Sequence, residues 1–313
     1  MAQNKRVLVI TGPTATGKTA LGVALANALD GEVISADSMQ VYRGMDIGTA
    51  KVTPAETEGV PHHLIDVADP SENYSVSRWV EAAAAAGEAI FARGRIPLLV
   101  GGTNLYIDSL LSGRDFAAGG DAGETRAALG AEYDALGGEA FLEKLRQVDP
   151  ARAEVLHPAD KKRLVRAMEV FLLTGEPISV HDQRTRALPK RWDSLRVVLS
   201  FRDRAALYAR IDARVDKMVA GGLFREVEAL LAAGLASDST AMQAIGYKEV
   251  ADCLSGALTR AEAVEAIKQN SRRYAKRQLT WLRRDTGALW IFREDAPDTD
   301  AAAEIVLRHW REN

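Results

Sequence analysis

Residues Gly12-Pro13-Thr14-Ala15-Thr16-Gly17-Lys18-Thr19 read G-x-x-x-x-G-K-[ST]. They stand between the apolar run Arg6–Ile10 and the helically spaced Leu21, Leu25, Ala28 and Leu29. This order commits the chain to a strand, a tight glycine loop and a helix. The apolar run is continuous rather than alternating, as in a strand covered on both faces of a parallel sheet. The glycines let successive N–H groups turn inward around phosphate oxygens. The helix N-terminus adds partial positive charge, and Lys18 reaches the outer phosphate. The Thr19 hydroxyl is placed to ligate Mg2+. All eight residues are thus candidates for holding a di- or triphosphate. The motif leaves open which molecule carries the phosphates and whether a phosphoryl group moves.

Further strands are expected at Glu32–Ala36, Arg95–Val100, Arg196–Phe201 and Leu289–Phe292, with an alanine-rich helix over Ser77–Arg93. Strand alternating with helix implies an α/β fold: a P-loop NTPase-like parallel sheet flanked by helices. Residues 113–190 break the alternation. They hold no convincing buried strand, and helices are expected at Glu124–Leu136, Glu139–Gln147 and Pro158–Leu173, punctuated by Gly119-Gly120 and Gly175-Glu176-Pro177. We read an all-helical insertion (113–190) between two parts of the core (1–112 and 191–313). The second part carries helices at Ala205–Ala233, Thr240–Leu254 and Arg260–Arg284.

A net charge of -3 argues against a chain that is basic all over, but the charge is unevenly spread. Segments 161–166, 184–196 and 272–284 hold fifteen basic residues and one acidic, leaving the rest strongly acidic. Taken alone, a solvated helix face is the default explanation of such stripes; phosphate contacts become the better reading only with further motifs. The single cysteine, Cys253, excludes intramolecular disulfides and cysteine-cluster zinc sites, and we expect it to be an ordinary buried residue. No run of 18 apolar residues exists, so the chain reads as a soluble protein of a reducing cytoplasm. No helix shows an obvious second apolar stripe, which favours a monomer. Adjacent His62 and His63 would point oppositely on a strand and make a poor metal pair.

Two more motifs sit just past strand ends, where open α/β sheets bind ligands. Asp37-Ser38-Met39-Gln40-Val41-Tyr42 offers Asp37 as a base or indirect metal partner, or equally as a turn or N-cap residue. Gly101-Gly102-Thr103-Asn104-Leu105-Tyr106 lets backbone approach a ligand and brings Thr103 near the phosphate loop, or else merely caps a helix.

With these motifs in order, the chain resembles the bacterial tRNA dimethylallyltransferases, also called tRNA isopentenyltransferases. Gly48–Lys51, Val60–Asp66, Lys162–Val170, Ala244–Glu249 and Ala275–Trp281 extend the match over most of the 313 residues. Departures are Thr16 for a usual serine, Asn104 for a glycine at which φ > 0 is expected, Met168 for leucine and Leu282 for phenylalanine. The zinc finger of eukaryotic relatives is not expected, since a single cysteine cannot build it.

The resemblance implies transfer of a dimethylallyl group from dimethylallyl diphosphate to N6 of the adenosine at tRNA position 37, just 3′ of the anticodon, with Mg2+ required and diphosphate released. Asp37 would be the base. Thr103 would line the site, and Lys18 and Arg214 would stabilise the leaving diphosphate. The target base must leave its stack, and Gln40 suits an adenine edge. Contacts to the tRNA anticodon stem-loop are expected from Asp37, Ser38, Met39, Gln40, Thr103, Arg126, Lys162, Arg163, Leu164, Val165, Arg166, Gln243, Ala244, Ile245, Gly246, Tyr247, Lys248, Arg272, Lys276 and Arg277. Three other readings compete: a P-loop kinase of small metabolites or nucleotides, a prenyltransferase of free adenylate, and a non-enzymatic RNA-binding P-loop protein.

Overall fold

The computed structural model describes residues 5–114, 116 and 122–312. Cα packing divides it into two compact units, 5–111 with 192–312, and 112–191. The glycine pair 119–120 lies outside the described residues.

The first unit opens with β1 (Arg6–Thr11), α1 (Lys18–Leu29), β2 (Gly31–Ser35), β3 (His62–His63), α2 (Val76–Ala92), β4 (Ile96–Val100) and α3 (Asn104–Leu111). The helical unit holds α4 (Ala122–Leu136), α5 (Gly138–Val148), α6 (Pro150–Ala153), α7 (Lys161–Thr174) and α8 (Ile178–Arg186). The chain then returns with β5 (Asp193–Ser200), α9 (Arg204–Gly221), α10 (Leu223–Ala232), a 3-10 turn (Ala241–Gln243), α11 (Tyr247–Leu254), α12 (Arg260–Leu282), β6 (Leu289–Phe292) and α13 (Thr299–Glu312).

Six parallel strands lie in the order β3-β2-β4-β1-β5-β6. Val7–Ile10 of β1 are fully buried, the consequence of helices on both faces. On one face Leu21, Val23 and Leu25 of α1 pack with Leu8, Leu98, Val197 and Leu199 of the sheet, and with Ala302 and Val306 of α13. Alignment of β2, β4 and β1 brings their C-terminal loops together: Ala36 N donates to Val100 O (2.8 Å), Gly101 N to Ile10 O (3.1 Å) and Thr103 N to Ala36 O (3.0 Å).

Three expectations are corrected. The helix read through Ala205–Ala233 is two helices, because the chain turns at Gly222 with φ 107°. The segment read as Thr240–Leu254 is a 3-10 turn and a separate helix, α11. Helices α8 and α13 were not foreseen. The α8 sequence ISVHDQRTR has no apolar stripe and buries only His181 and Thr185, and α13 buries mainly alanines. In the helical unit, Phe141, Leu142 and Leu145 of α5 meet Leu164, Val165 and Met168 of α7. Cys253 is half-buried rather than buried. Among the described residues no helix is long and apolar enough to cross a membrane.

Candidate active site

The loop after β1 is held from within and without. Thr16 is fully buried and its hydroxyl donates to Pro13 O (2.9 Å), as does Lys18 Nζ (2.8 Å). Arg210 Nε donates to Ala15 O (3.1 Å) and Arg293 Nε to Thr16 O (2.9 Å). Gly12 has φ 142°, and a Cβ there would lie 2.2 Å from Leu199 O, so no other residue fits. Gly12, Pro13 and Thr16 therefore shape the loop. Thr14, Ala15, Gly17, Lys18 and Thr19 line a cavity of about 870 Å3 that opens beside it. Burial there, with the nearby Arg214 guanidinium, pulls the Lys18 ammonium down to about 7 against the opposing pull of Asp37.

The loop after β2 carries Asp37. Its Oδ1 accepts from Met39 N (2.9 Å), so it does close a turn, yet the carboxylate also lines the cavity. Ser38 N donates to Thr103 Oγ1 (3.1 Å), which ties the Asp37 loop to the loop after β4. The amide of Gln40 is already occupied: Oε1 accepts from Ser35 Oγ (3.0 Å), and Nε2 donates to the carbonyls of Thr49 and Ala50 (both 3.3 Å). Gln40 thus braces the loop from the wall of the larger cavity, which it lines. The expectation at Asn104 is corrected. It begins α3 without positive φ and its Oδ1 accepts from Thr11 Oγ1 (3.0 Å) in the core.

A second, smaller cavity of about 290 Å3 adjoins the first, and both are lined by Thr14, Asp37, Arg214 and Tyr274. The two differ in chemistry. The larger collects Lys18, Arg210, Arg214 and Lys217, the last three at helical i, i+4, i+7 positions along α9. The smaller has an apolar wall of Ile211, Val215, Met218 and Ile267, and is lined also by Ser38, Met39, Gln243, Ala244, Ile245 and Arg277. Burial lowers the Arg214 pKa, and Asp37 counters it. The Tyr274 hydroxyl is pushed up to about 12 by burial and then by the Asp37 charge, so it is a neutral donor. An anion with an apolar tail fits across this junction, its charge among the cations and its tail toward the apolar wall.

Other expected RNA contacts separate into exposed and interior groups. Lys162, Arg163, Lys248, Lys276 and Arg277 are exposed. Arg126 (2.8 Å) and Arg166 (2.6 Å) both pair with Glu169, a carboxylate with no exposure. Leu164 and Val165 are corrected to packing residues, since both sit in the helical unit's core. Gly246 is buried, and Tyr247 is fully buried with its hydroxyl on Glu226 (2.5 Å), so it too offers RNA no side chain. Arg272 is bound to Asp212 (2.7 Å) and Glu265 (2.9 Å). His63 Nε2 meets Glu32 (2.7 Å), and among the described residues no group of three His, Cys, Asp or Glu is placed to hold a metal.

Sequence reasoning missed Tyr274, Gln278, Arg210 and Lys217. On the basic helix α12 Gln278 is buried and Tyr274 half-buried, and their i, i+4 spacing was the available signal.

Comparison with known proteins places this geometry. The profile of the IPP transferase family matches residues 40–285, and that of isopentenyl transferase matches residues 5–69. A tRNA dimethylallyltransferase of Symbiobacterium thermophilum is 48% identical over 98% of this chain and 95% of its own. One from Pelobacter propionicus is 46% identical over 97% and 96%. The crystal structure of the Bacillus halodurans tRNA isopentenylpyrophosphate transferase superposes with TM-score 0.72 at 40% identity, covering 98% of this chain and 97% of that one. A eukaryotic dimethylallyltransferase captured acting on tRNA gives TM-score 0.77 at 32% identity, over 89% of this chain and 70% of its own. A family match running through both strand-end loops and the basic helix, with near-complete coverage by relatives, leaves one assignment: the chain belongs to the IPP transferase family, the tRNA dimethylallyltransferases.

Proposed function

We propose that the protein transfers the dimethylallyl group of dimethylallyl diphosphate to N6 of the adenosine at tRNA position 37, just 3′ of the anticodon, releasing diphosphate. The observation that carries this reading is the junction of a cationic and an apolar-walled cavity at Asp37. The diphosphate lies against the loop N–H groups, Lys18 and Arg214. The isoprenoid carbon and the flipped base meet at Asp37, Thr103 and Tyr274, with the base entering past Met39 and Gln243.

As the C–O bond to diphosphate breaks, the N6–C bond forms, and the N6 proton passes to the Asp37 carboxylate. The cations offset charge growing on the leaving group, and the apolar wall keeps water from the allylic carbon. The exposed Thr19 hydroxyl fits a Mg2+ ion that takes its other ligands from diphosphate and water, as this ion usually does. When bound, Mg2+ neutralises leaving-group charge. Every group named here comes from one chain, so a monomer suffices.

The test is incubation with labelled dimethylallyl diphosphate, Mg2+ and tRNA bearing adenosine 3′ of the anticodon. Label in tRNA at that N6 supports the reading. Label on free AMP, or a phosphorylated small product from ATP, overturns it.

A further inference from the structure

Residues 46–48 turn three consecutive N–H groups toward one carboxylate from a distant helix. Glu226, in the first turn of α10, accepts from Asp46 N (2.9 Å) and Ile47 N (2.7 Å) through Oε2, and from Gly48 N (3.1 Å) through Oε1. The Tyr247 hydroxyl is a fourth donor, at 2.5 Å from Oε1. Burial, then the Glu226 charge, pushes the Tyr247 hydroxyl far above its ordinary pKa, so it remains a donor. Successive N–H groups converging on an anion form a nest, and here the anion is supplied by the protein itself.

This arrangement has consequences at the reaction junction. Gly48 and Thr49 line the smaller cavity alongside Asp37. The Thr49 carbonyl receives Gln40 Nε2 (3.3 Å) and, more loosely, Arg214 Nη2 (3.5 Å). Close approach is built in: a Cβ on Gly48 would lie 2.4 Å from the Tyr247 ring. Lys51 Nζ adds a second clamp on the same segment, on Tyr42 O (2.9 Å), Asp46 (2.5 Å) and Asp66 (2.5 Å). Glu226 lines neither cavity, and it holds the residues directly before the Thr49 carbonyl that Arg214 meets.

We propose that Glu226 is a positioning residue for the transfer reaction: it gathers the N–H groups of residues 46–48 and so sets both the cavity wall beside Asp37 and the orientation of Arg214. This rests on the function proposed above. A neutral amide at this position presents N–H to N–H at one oxygen, so Glu226→Gln disturbs the nest while preserving size.

Two measurements test it in the full-length protein, with Glu228→Gln on the exposed side of α10 as control. The first is steady-state kinetics with dimethylallyl diphosphate and tRNA. Glu226→Gln is expected to lower kcat at least tenfold in protein with an unaltered circular dichroism spectrum, and Glu228→Gln to stay within twofold. The second is calorimetric binding of inorganic pyrophosphate with Mg2+, expected to weaken at least fivefold in Glu226→Gln alone. Unchanged kcat and pyrophosphate affinity, with only a lower melting temperature, would overturn the proposal and make Glu226 a packing residue. If the wild type labels no tRNA, the functional reading fails, while the pyrophosphate comparison still decides whether Glu226 places Arg214.

Discussion

Gln278 holds Thr14 through its backbone: Oε1 accepts from Thr14 N at 3.1 Å, and Nε2 donates to Gly102 O at 2.9 Å. One buried amide from α12 thus couples the phosphate loop to the loop after β4. Gln278→Ala removes both bonds and leaves an N–H and a carbonyl to find new partners. The expected cost is about 2–3 kcal/mol. For a chain of 313 residues that is roughly a 3–5 °C fall in Tm. Because the phosphate loop loses a brace, KM for dimethylallyl diphosphate should rise at least fivefold. A melt with and without pyrophosphate, plus kinetics, checks both. A stability loss with unchanged KM would show that the loop does not need the brace.

Asp37 has two jobs that one substitution can separate. Its Oδ1 caps the turn at Met39 N. Its charge faces Lys18, Arg214 and Tyr274. Asp37→Asn keeps an acceptor for the turn and removes the base. Loss of a general base costs about 100- to 10,000-fold in rate. The variant should fall in that range with tRNA affinity within threefold of wild type, measured by filter binding. Asp37→Ala should add a small stability loss from the broken cap, about 1 kcal/mol.

The contrast between Lys18 and Gln278 shows what sequence could reveal. Lys18 is legible because the glycine spacing around it is local and its strand and helix are adjacent in sequence. Gln278 is illegible because its partners, Thr14 and Gly102, lie far away in the chain, and its motif neighbours are basic. The same holds for Glu226, whose acceptor role exists only once α10 meets residues 46–48. Charge counting located basic segments but could not tell Lys276, which is exposed, from Arg272, which is paired. The break at Gly222 was hidden for another reason: a glycine in a long helical pattern is often tolerated, and only its φ reveals the turn.

Lys18 should impose a pH dependence on diphosphate capture. Its pKa in the free protein is about 7, lowered by burial and by Arg214. Below that pH the ammonium is ready for the anion. Above it the lysine is mostly neutral, and binding must take up a proton. The kcat/KM for dimethylallyl diphosphate should therefore fall as pH rises through 7, by up to about tenfold per unit. Lys18→Arg stays charged throughout, so its profile isolates the ligand's own ionisation. Calorimetry of pyrophosphate binding in buffers of different ionisation enthalpy should show proton uptake at pH 8 in wild type and much less in Lys18→Arg. Identical uptake in the two would place the titrating group elsewhere.

The basic helix α12 permits a sharper experiment than removing its charges together. Lys276 and Arg277 are exposed, and Arg277 lies over the Tyr274 ring, 5.5 Å from its centroid, at the mouth of the smaller cavity. Arg272 is bound to Asp212 and Glu265 and has little charge left to offer a phosphate. Each phosphate contact contributes roughly 0.7–0.9 to the slope of log K against log salt. Lys276→Ala with Arg277→Ala should therefore flatten the slope for tRNA by about 1.4–1.8 while Tm stays within 2 °C or so. Arg272→Ala should do the reverse, leaving the slope nearly unchanged and lowering Tm, because two carboxylates lose their partner. Titrations of tRNA binding between low and moderate salt, run beside thermal melts of the same preparations, distinguish the two classes. A flattened slope in Arg272→Ala would mean that RNA displaces Asp212 and Glu265, and that the ion pairs of the free protein are exchanged on binding.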